Sequence, residues 1–238
     1  MKGFSTMHIK RNATLQRVLS EYSRMASVFY NNKKWECMSE NELWLELCLC
    51  ILSSNVPYEL AESAFFHLMK KGYLLREWIV KKPNCEKVIA GELSRQTFLP
   101  KKLDGSYRKY RFPNSRSRDI CRAAKLVSTD SRWLSNVLES RNSEEEARDI
   151  LVNEIPGIGL KQASHFLRNI RYSSQLAIVD SHVLSFLVEI GAVAKENAKI
   201  TSKTYLELES LLQAMCNEYG LNLSILDMAI WNCVRREK

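Results

Sequence analysis

Lys161 stands at the end of a Gly-x-Gly turn, and Asp180 closes an apolar run nineteen residues later. The turn reads Ile155-Pro156-Gly157-Ile158-Gly159-Leu160-Lys161. Pro156 cannot continue a helix, and Gly157 tolerates the left-handed conformation that ends one. From Leu160 onward, Ala163, Phe166, Leu167 and Ile170 resume helical spacing. Two helices joined this tightly leave backbone N–H groups of the second without intrahelical partners, an anion site that suits a nucleic-acid phosphate. Lys161 falls in the first turn of that helix, where the positive end of the dipole and a partly dry setting are expected to lower its pKa. A neutral amine beside a bound phosphate backbone is a nucleophile for an electrophilic carbon. Asp180 is placed to cap the next helix, and an acid there could ionise beside Lys161 or serve a positively charged sugar. Each feature alone has a plain reading as a turn, a solvated lysine or a cap. The three together at this spacing point to chemistry.

Several elements must position these residues. Ser143 with Glu146 is a capping-box pattern that predicts a helix running to Glu154. Leu15, Val18, Leu19, Tyr22 and Met25 predict a helix over 12–30, and a second, from Glu42 to Leu52, is apolar nearly all round and so central and buried. That second helix ends at Ser53-Ser54-Asn55, and Pro57 helps open another through Met69, so Asn55 projects from a junction as a turn residue or cap. Residues 72–99 read as helical pieces broken at Gly72, Pro83 and Pro100. Lys101 to Lys125 holds nine cations against Asp104 and Asp119, nearly the whole excess of the chain, with Tyr107, Tyr110 and Phe112 interleaved. Such a run is either a solvated face or a DNA-facing loop and helix start, and its clustering favours the latter. Helices are expected over 183–190 and 203–219, and Ser224 with Asp227 suggests a capping box for a last helix carrying Trp231.

Pro156-Gly157-Ile158-Gly159-Leu160-Lys161 followed by Val179-Asp180-Ser181-His182 resembles the signature of the helix-hairpin-helix DNA glycosylases. With Leu49-Cys50-Ile51-Leu52-Ser53-Ser54-Asn55, the lysine form is similar to the 8-oxoguanine DNA glycosylase/lyases, and the short chain favours their type-2 branch, found mainly in archaea. The resemblance spans 41 to the C-terminus. It implies Lys161 and Asp180 as catalytic residues, with Ile155, Gly157 and Gly159 holding the DNA backbone. It further implies that Asn55 fills the gap left by an extruded base, and that Arg116, in Asn114-Ser115-Arg116-Ser117-Arg118, reads the estranged cytosine. His182 is either a structural histidine bonded to backbone or a phosphate contact. In type-2 enzymes a C-terminal lysine and a nearby tryptophan recognise the oxidised base, here Lys238 and Trp231; a frayed basic end and a core tryptophan account for the same residues.

Composition sets the outer bounds. Hydrophobic residues make up 45% of 238, with only eight glycines, which suits a helical protein with an ample core. A net charge of +8 suits a polyanionic partner. No stretch of about 18 apolar residues occurs and residues 1–5 lack a signal peptide's apolar core, so a soluble, cytoplasmic, nucleoid-associated protein is expected. Seven scattered cysteines contain no CxxC pair, and Cys216 and Cys233 cannot supply the four-cysteine cluster usual in endonuclease III relatives; no metal or cofactor is expected. The fold expected is all-α, with two helical lobes and the hairpin at the mouth of the interlobe cleft. Residues 1–40 and 192–238 would form one lobe and 41–191 the other. The expected activity is excision of 8-oxoguanine from double-stranded DNA by a monomer through a lysine Schiff base, followed by β-elimination. Glycosylase action on another oxidised base and a non-catalytic helix-hairpin-helix module are the alternatives.

Overall fold

The computed structural model describes residues 12–195 and 199–235. In chain order the helices begin with α1 (Ala13–Asn31), α2 (Glu40–Leu52), α3 (Tyr58–Lys70), α4 (Arg76–Lys81) and α5 (Cys85–Leu93). Two short strands follow, β1 (Gln96–Phe98) and β2 (Arg108–Lys109), paired antiparallel. Then come α6 (Pro113–Val127), α7 (Trp133–Glu139), α8 (Glu144–Glu154), α9 (Leu160–Asn169), α10 (Ser181–Glu189), α11 (Ser202–Tyr219) and α12 (Leu223–Arg235). The all-α expectation holds. The departure among the described residues is a small hairpin that leads into the basic run, whose strands are too short to leave a periodic signal. No helix among the described residues is long and apolar enough to cross a membrane.

The helix starts follow from local chemistry. Ser39 and Glu42 form a reciprocal capping box on α2, and the Asn12 carboxamide accepts from the Thr14 and Leu15 N–H groups of α1. Ser143 caps α8 by accepting from Glu146 N–H, while the Glu146 carboxylate reaches back to Asn142 N–H rather than to Ser143. The expected Ser224/Asp227 box does not form. Asn222 caps α12 instead, accepting from Ile225 N–H at 3.2 Å, because Ser224 and Asp227 are both buried and bonded elsewhere.

The chain divides into two compact units, residues 35–166 and residues 1–34 with 167–238. The second crossing therefore falls at 166/167, earlier than the 191/192 read from the sequence. The physical reason is that residues 177–179 hydrogen-bond to side chains of α11 and α12, and α10 packs on α12. In unit 35–166, α2 is the central rod. Trp44, Leu47, Ile51 and Leu52 are fully buried, α3, α6 and α7 pack on it, and Trp44 Nε1 donates to Leu74 O at 2.7 Å. In the other unit α12 is central, with α1, α10 and α11 against it.

One buried acid makes the first unit sensitive to pH. Glu92 on α5 lies against His67 Nε2 at 2.8 Å, Lys71 Nζ at 3.3 Å and Arg95 Nε at 3.1 Å. Burial pushes its carboxyl up, but the hydrogen bonds from His67 and Lys71 and the charges of Lys71 and Arg95 outweigh it, leaving a net lowered pKa. A carboxyl depressed on folding stabilises above its unfolded pKa, and that contribution is lost as pH falls through the folded value. Glu92→Gln is expected to cost about 1–2 kcal/mol at pH 7, with the gap from the native chain closing on acidification through the carboxylate range. Urea denaturation at neutral and acid pH measures both.

Candidate active site and nucleic-acid interface

The hairpin forms as its residue types require. Ile155 and Ile158 are buried on either side of the turn, and Ile158 N–H donates to Ile155 O at 3.3 Å. Gly157 has φ +80, and a Cβ there would lie 2.6 Å from the Asp119 carboxylate, so any side chain meets both strain and a clash. Gly159 is different: a Cβ would find its nearest neighbour at 3.9 Å. Gly157→Ala should therefore cost about 2 kcal/mol or more. Gly159→Ala should change stability by less than about 0.5 kcal/mol while its methyl crowds a phosphate on the hairpin N–H groups and weakens duplex binding. Thermal melts beside duplex-binding titrations separate the two effects. Behind the turn, Arg148 on α8 is 3% exposed and donates to Ser164 Oγ on α9 at 3.3 Å, fixing one helix against the other. Lys161, half-buried, is the second residue of α9, beside N–H groups that helix geometry leaves pointing outward.

Asn55 sits at the α2–α3 junction with φ +57, a conformation asparagine tolerates better than most residues. It is exposed between buried Ser54 and Val56. Two arginines of the basic run hold its backbone: Arg111 donates to Asn55 O at 3.4 Å and Arg116 to Ser54 O at 3.2 Å. Arg116 also donates to Asp119 at 2.8 Å, and its Nε is buried with no hydrogen-bond partner among the described residues. The residue expected to read a base thus has both terminal nitrogens engaged next to Asn55, and Asp119 continues the contact to Gly157. Arg111, exposed and stacked 4.9 Å from the Phe112 ring centroid, was not singled out from the sequence; its only signal was membership of the basic run.

In unit 1–34 with 167–238, Asp180 is the N-cap of α10, its Oδ1 accepting from His182 N–H at 2.8 Å and Val183 N–H at 3.1 Å. The residues that deliver it have no regular structure and are held almost bond by bond. Ala177 N–H donates to Glu209, Ile178 N–H to Asp227, Val179 N–H to Tyr205 Oη, and Tyr205 returns a bond to Ala177 O at 2.7 Å. Asp227, 2% exposed, also pairs with Arg168 of α9, the helix that begins at Lys161's turn. Burial pushes the Asp227 carboxyl up while Arg168 and the Ile178 N–H oppose it. The Arg168–Asp227–Ile178 relay was invisible in the sequence, because Asp227 lies 59 and 49 residues from its two partners with no shared period.

His182 packs edge-on against Trp231, ring centroids 6.4 Å apart, and the Arg235 guanidinium lies 4.6 Å from the Trp231 ring centroid. His182 Nδ1 is buried without a hydrogen-bond partner among the described residues, so the backbone-bonded histidine is not what forms at that nitrogen. Trp231 is half-buried, and Lys238 lies outside the described residues. No cluster of three or more His, Cys, Asp or Glu suited to a metal occurs among the described residues.

A predominantly helical chain whose Gly-x-Gly hairpin opens a helix with lysine in its first turn, with an aspartate capping the very next helix, has the build of the helix-hairpin-helix DNA glycosylases. The family model for 8-oxoguanine DNA glycosylase matches residues 86–221, more than half of the chain, and the protein belongs to that family. Among curated relatives, the 8-oxoguanine DNA glycosylase/AP lyase of Sulfurisphaera tokodaii is 35% identical over 195 residues, covering 81% of this chain and 82% of that protein. The corresponding protein of Methanocaldococcus jannaschii is 31% identical over 202 residues, covering 84% and 83%. The crystal structure of the Methanocaldococcus jannaschii glycosylase/lyase in complex with a 15mer DNA containing 8-oxoguanine matches at a TM-score of 0.66 and 27% identity, covering 98% of this chain and 99% of that one. The Thermotoga maritima 8-oxoguanine DNA glycosylase shares the fold at a TM-score of 0.70 and 24% identity, over 95% of each chain.

Proposed function

We propose that this protein is a bifunctional enzyme that flips 8-oxoguanine out of duplex DNA, excises it, and nicks the strand as an AP lyase. The observation that carries the reading is Lys161 in the first turn of α9, directly after the Gly157 turn, in a chain whose matched relatives are 8-oxoguanine DNA glycosylase/AP lyases.

The steps follow from the chemistry of each group. The hairpin N–H groups and the basic surface hold the phosphate backbone. The damaged base leaves the stack and Asn55, exposed on its fixed loop, occupies the vacancy; an amide there can also bond the orphaned partner base. Trp231 offers a face for the flipped base and Lys238 joins it in recognising that base, while His182, packed on Trp231, serves as a phosphate contact. The Lys161 amine attacks C1′ of the sugar, the bond from C1′ to the base breaks, and the base departs with that electron pair and a proton. Asp180 stabilises the positive charge that develops on the sugar and takes protons in turn. Opening of the sugar ring gives an imine between Lys161 and C1′. Loss of a C2′ proton then expels the 3′ phosphate, and water hydrolyses the imine to return the lysine. None of these steps calls on a metal or redox partner, and one copy of the chain holds every group named.

A denaturing gel tests the reading. End-labelled duplexes carrying 8-oxoguanine, an oxidised pyrimidine or no lesion are incubated with the protein. Nicking of the 8-oxoguanine strand alone is the expected result. Nicking of the pyrimidine strand instead would move the specificity to another oxidised base, and binding without cleavage of any strand would make the chain a non-catalytic DNA-binding module.

A further inference from the structure

The excursion between α5 and α6 has a fixed root and an exposed tip. At the root Phe98 is buried against His67, Leu99 N–H donates to Ser63 Oγ of α3 at 3.0 Å, and β1 pairs with β2. The tip is closed by Lys102 N–H to Ser106 O at 2.8 Å and Gly105 N–H to Lys102 O at 3.0 Å. Leu103 at its apex is fully exposed, and Leu99 and Tyr107 are also exposed. One exposed leucine is ordinary. Three large apolar side chains on one hairpin, interleaved with Lys101, Lys102, Arg108 and Lys109, are not.

Charge identifies the occupant. The single acid of residues 96–109 is Asp104, and its carboxylate is turned back onto Ser106 N–H at 2.9 Å and Ser106 Oγ at 2.6 Å. Lys101 Nζ stands 4.6 Å from the Tyr107 ring centroid. Between the hairpin and α3 lies a cavity of about 410 Å³ lined by Leu60, Gln96, Lys102, Arg108 and Lys109, three cations and an amide around one aliphatic wall. Arg108 is held in place by its bond to Pro100 O at 2.8 Å. Position adds to this: β2 runs directly into Tyr110, whose hydroxyl donates to Leu52 O at 2.5 Å, and into Arg111, which donates to Asn55 O. The hairpin and the Asn55 loop therefore share one root.

We propose that the 96–109 hairpin is a second grip on the duplex, flanking the lesion: Lys102, Arg108 and Lys109 receive a backbone phosphate in the cavity, and Leu103 lies as an apolar wedge against the adjacent groove. This rests on the reading of duplex DNA as the substrate. The test uses the full chain and a fluorescent 25-base-pair duplex with a central 8-oxoguanine, titrated across a salt series. Lys102→Gln/Lys109→Gln leaves Arg108 and the hairpin's bonds in place. It is expected to reduce the slope of log affinity against log salt by about 2, as for two lost phosphate contacts, and to weaken binding about tenfold at physiological salt. Leu103→Ala should weaken binding several-fold with the slope unchanged. If the native protein binds and excises while the lysine variant keeps the native slope and affinity, the second grip is wrong and the glycosylase reading stands. A native protein with no affinity for the duplex overturns both.

Discussion

Lys161→Gln is expected to lower the single-turnover rate of 8-oxoguanine excision by at least about 10³-fold, some 4 kcal/mol of transition-state stabilisation, and to remove strand nicking altogether. Both follow from one atom. Nζ is the group assigned to bond C1′, and no imine means no route to β-elimination of the 3′ phosphate. Glutamine keeps most of the length and a polar end in the first turn of α9, whose N-terminus is set by Gly157 and by the buried Ile155 and Ile158 rather than by the lysine. Duplex binding should therefore fall by no more than the loss of one cation near the backbone, and the melting temperature should hold. A variant that still nicks would place the nucleophile elsewhere.

Asp180→Asn separates chemistry from structure more cleanly. The Asp180 carboxylate caps α10 through His182 N–H and Val183 N–H, and asparagine is as good an N-cap as aspartate. The variant loses the favourable charge at a helix N-terminus, about 0.3–1 kcal/mol, and little else of its stability. Excision should nevertheless drop by about 10²–10⁴-fold, because a neutral amide neither stabilises a cationic sugar nor takes a proton. Measuring the rate under single turnover, beside a denaturation curve, tells a lost acid from a loosened loop. Equal, small losses in both would leave Asp180 as a cap only.

The elements that can be read locally were legible. Ser143, Pro156 and Gly157 act within four residues of themselves, and the helices they bound appear where periodicity puts them. The family was legible for the same reason, since the turn, Lys161 and Asp180 lie within one short stretch. What sequence reasoning could not reach is long-range. Glu209, Tyr205 and Asp227 satisfy the backbone of 177–179 from 26 to 49 residues away. Ser224 and Asp227 carried a capping pattern, yet burial turned them to the Ser173 carbonyl and the Ile178 amide, and Asn222 took the cap. The same limit applies at Arg116: a basic run announces charge, but only the fold shows that this guanidinium spans Ser54 O and Asp119 while Arg111 stays exposed.

The central claim is the covalent bond between Lys161 and the sugar, and borohydride trapping reads that bond directly. The native protein is mixed with an 8-oxoguanine:cytosine duplex in the presence of borohydride, which reduces an imine to a stable amine, and the products are run under denaturing conditions beside Lys161→Gln. The expected result is a protein–DNA band with the native chain and none with the variant. A native protein that cuts the duplex yet traps nothing, or a band that persists in Lys161→Gln, would contradict it.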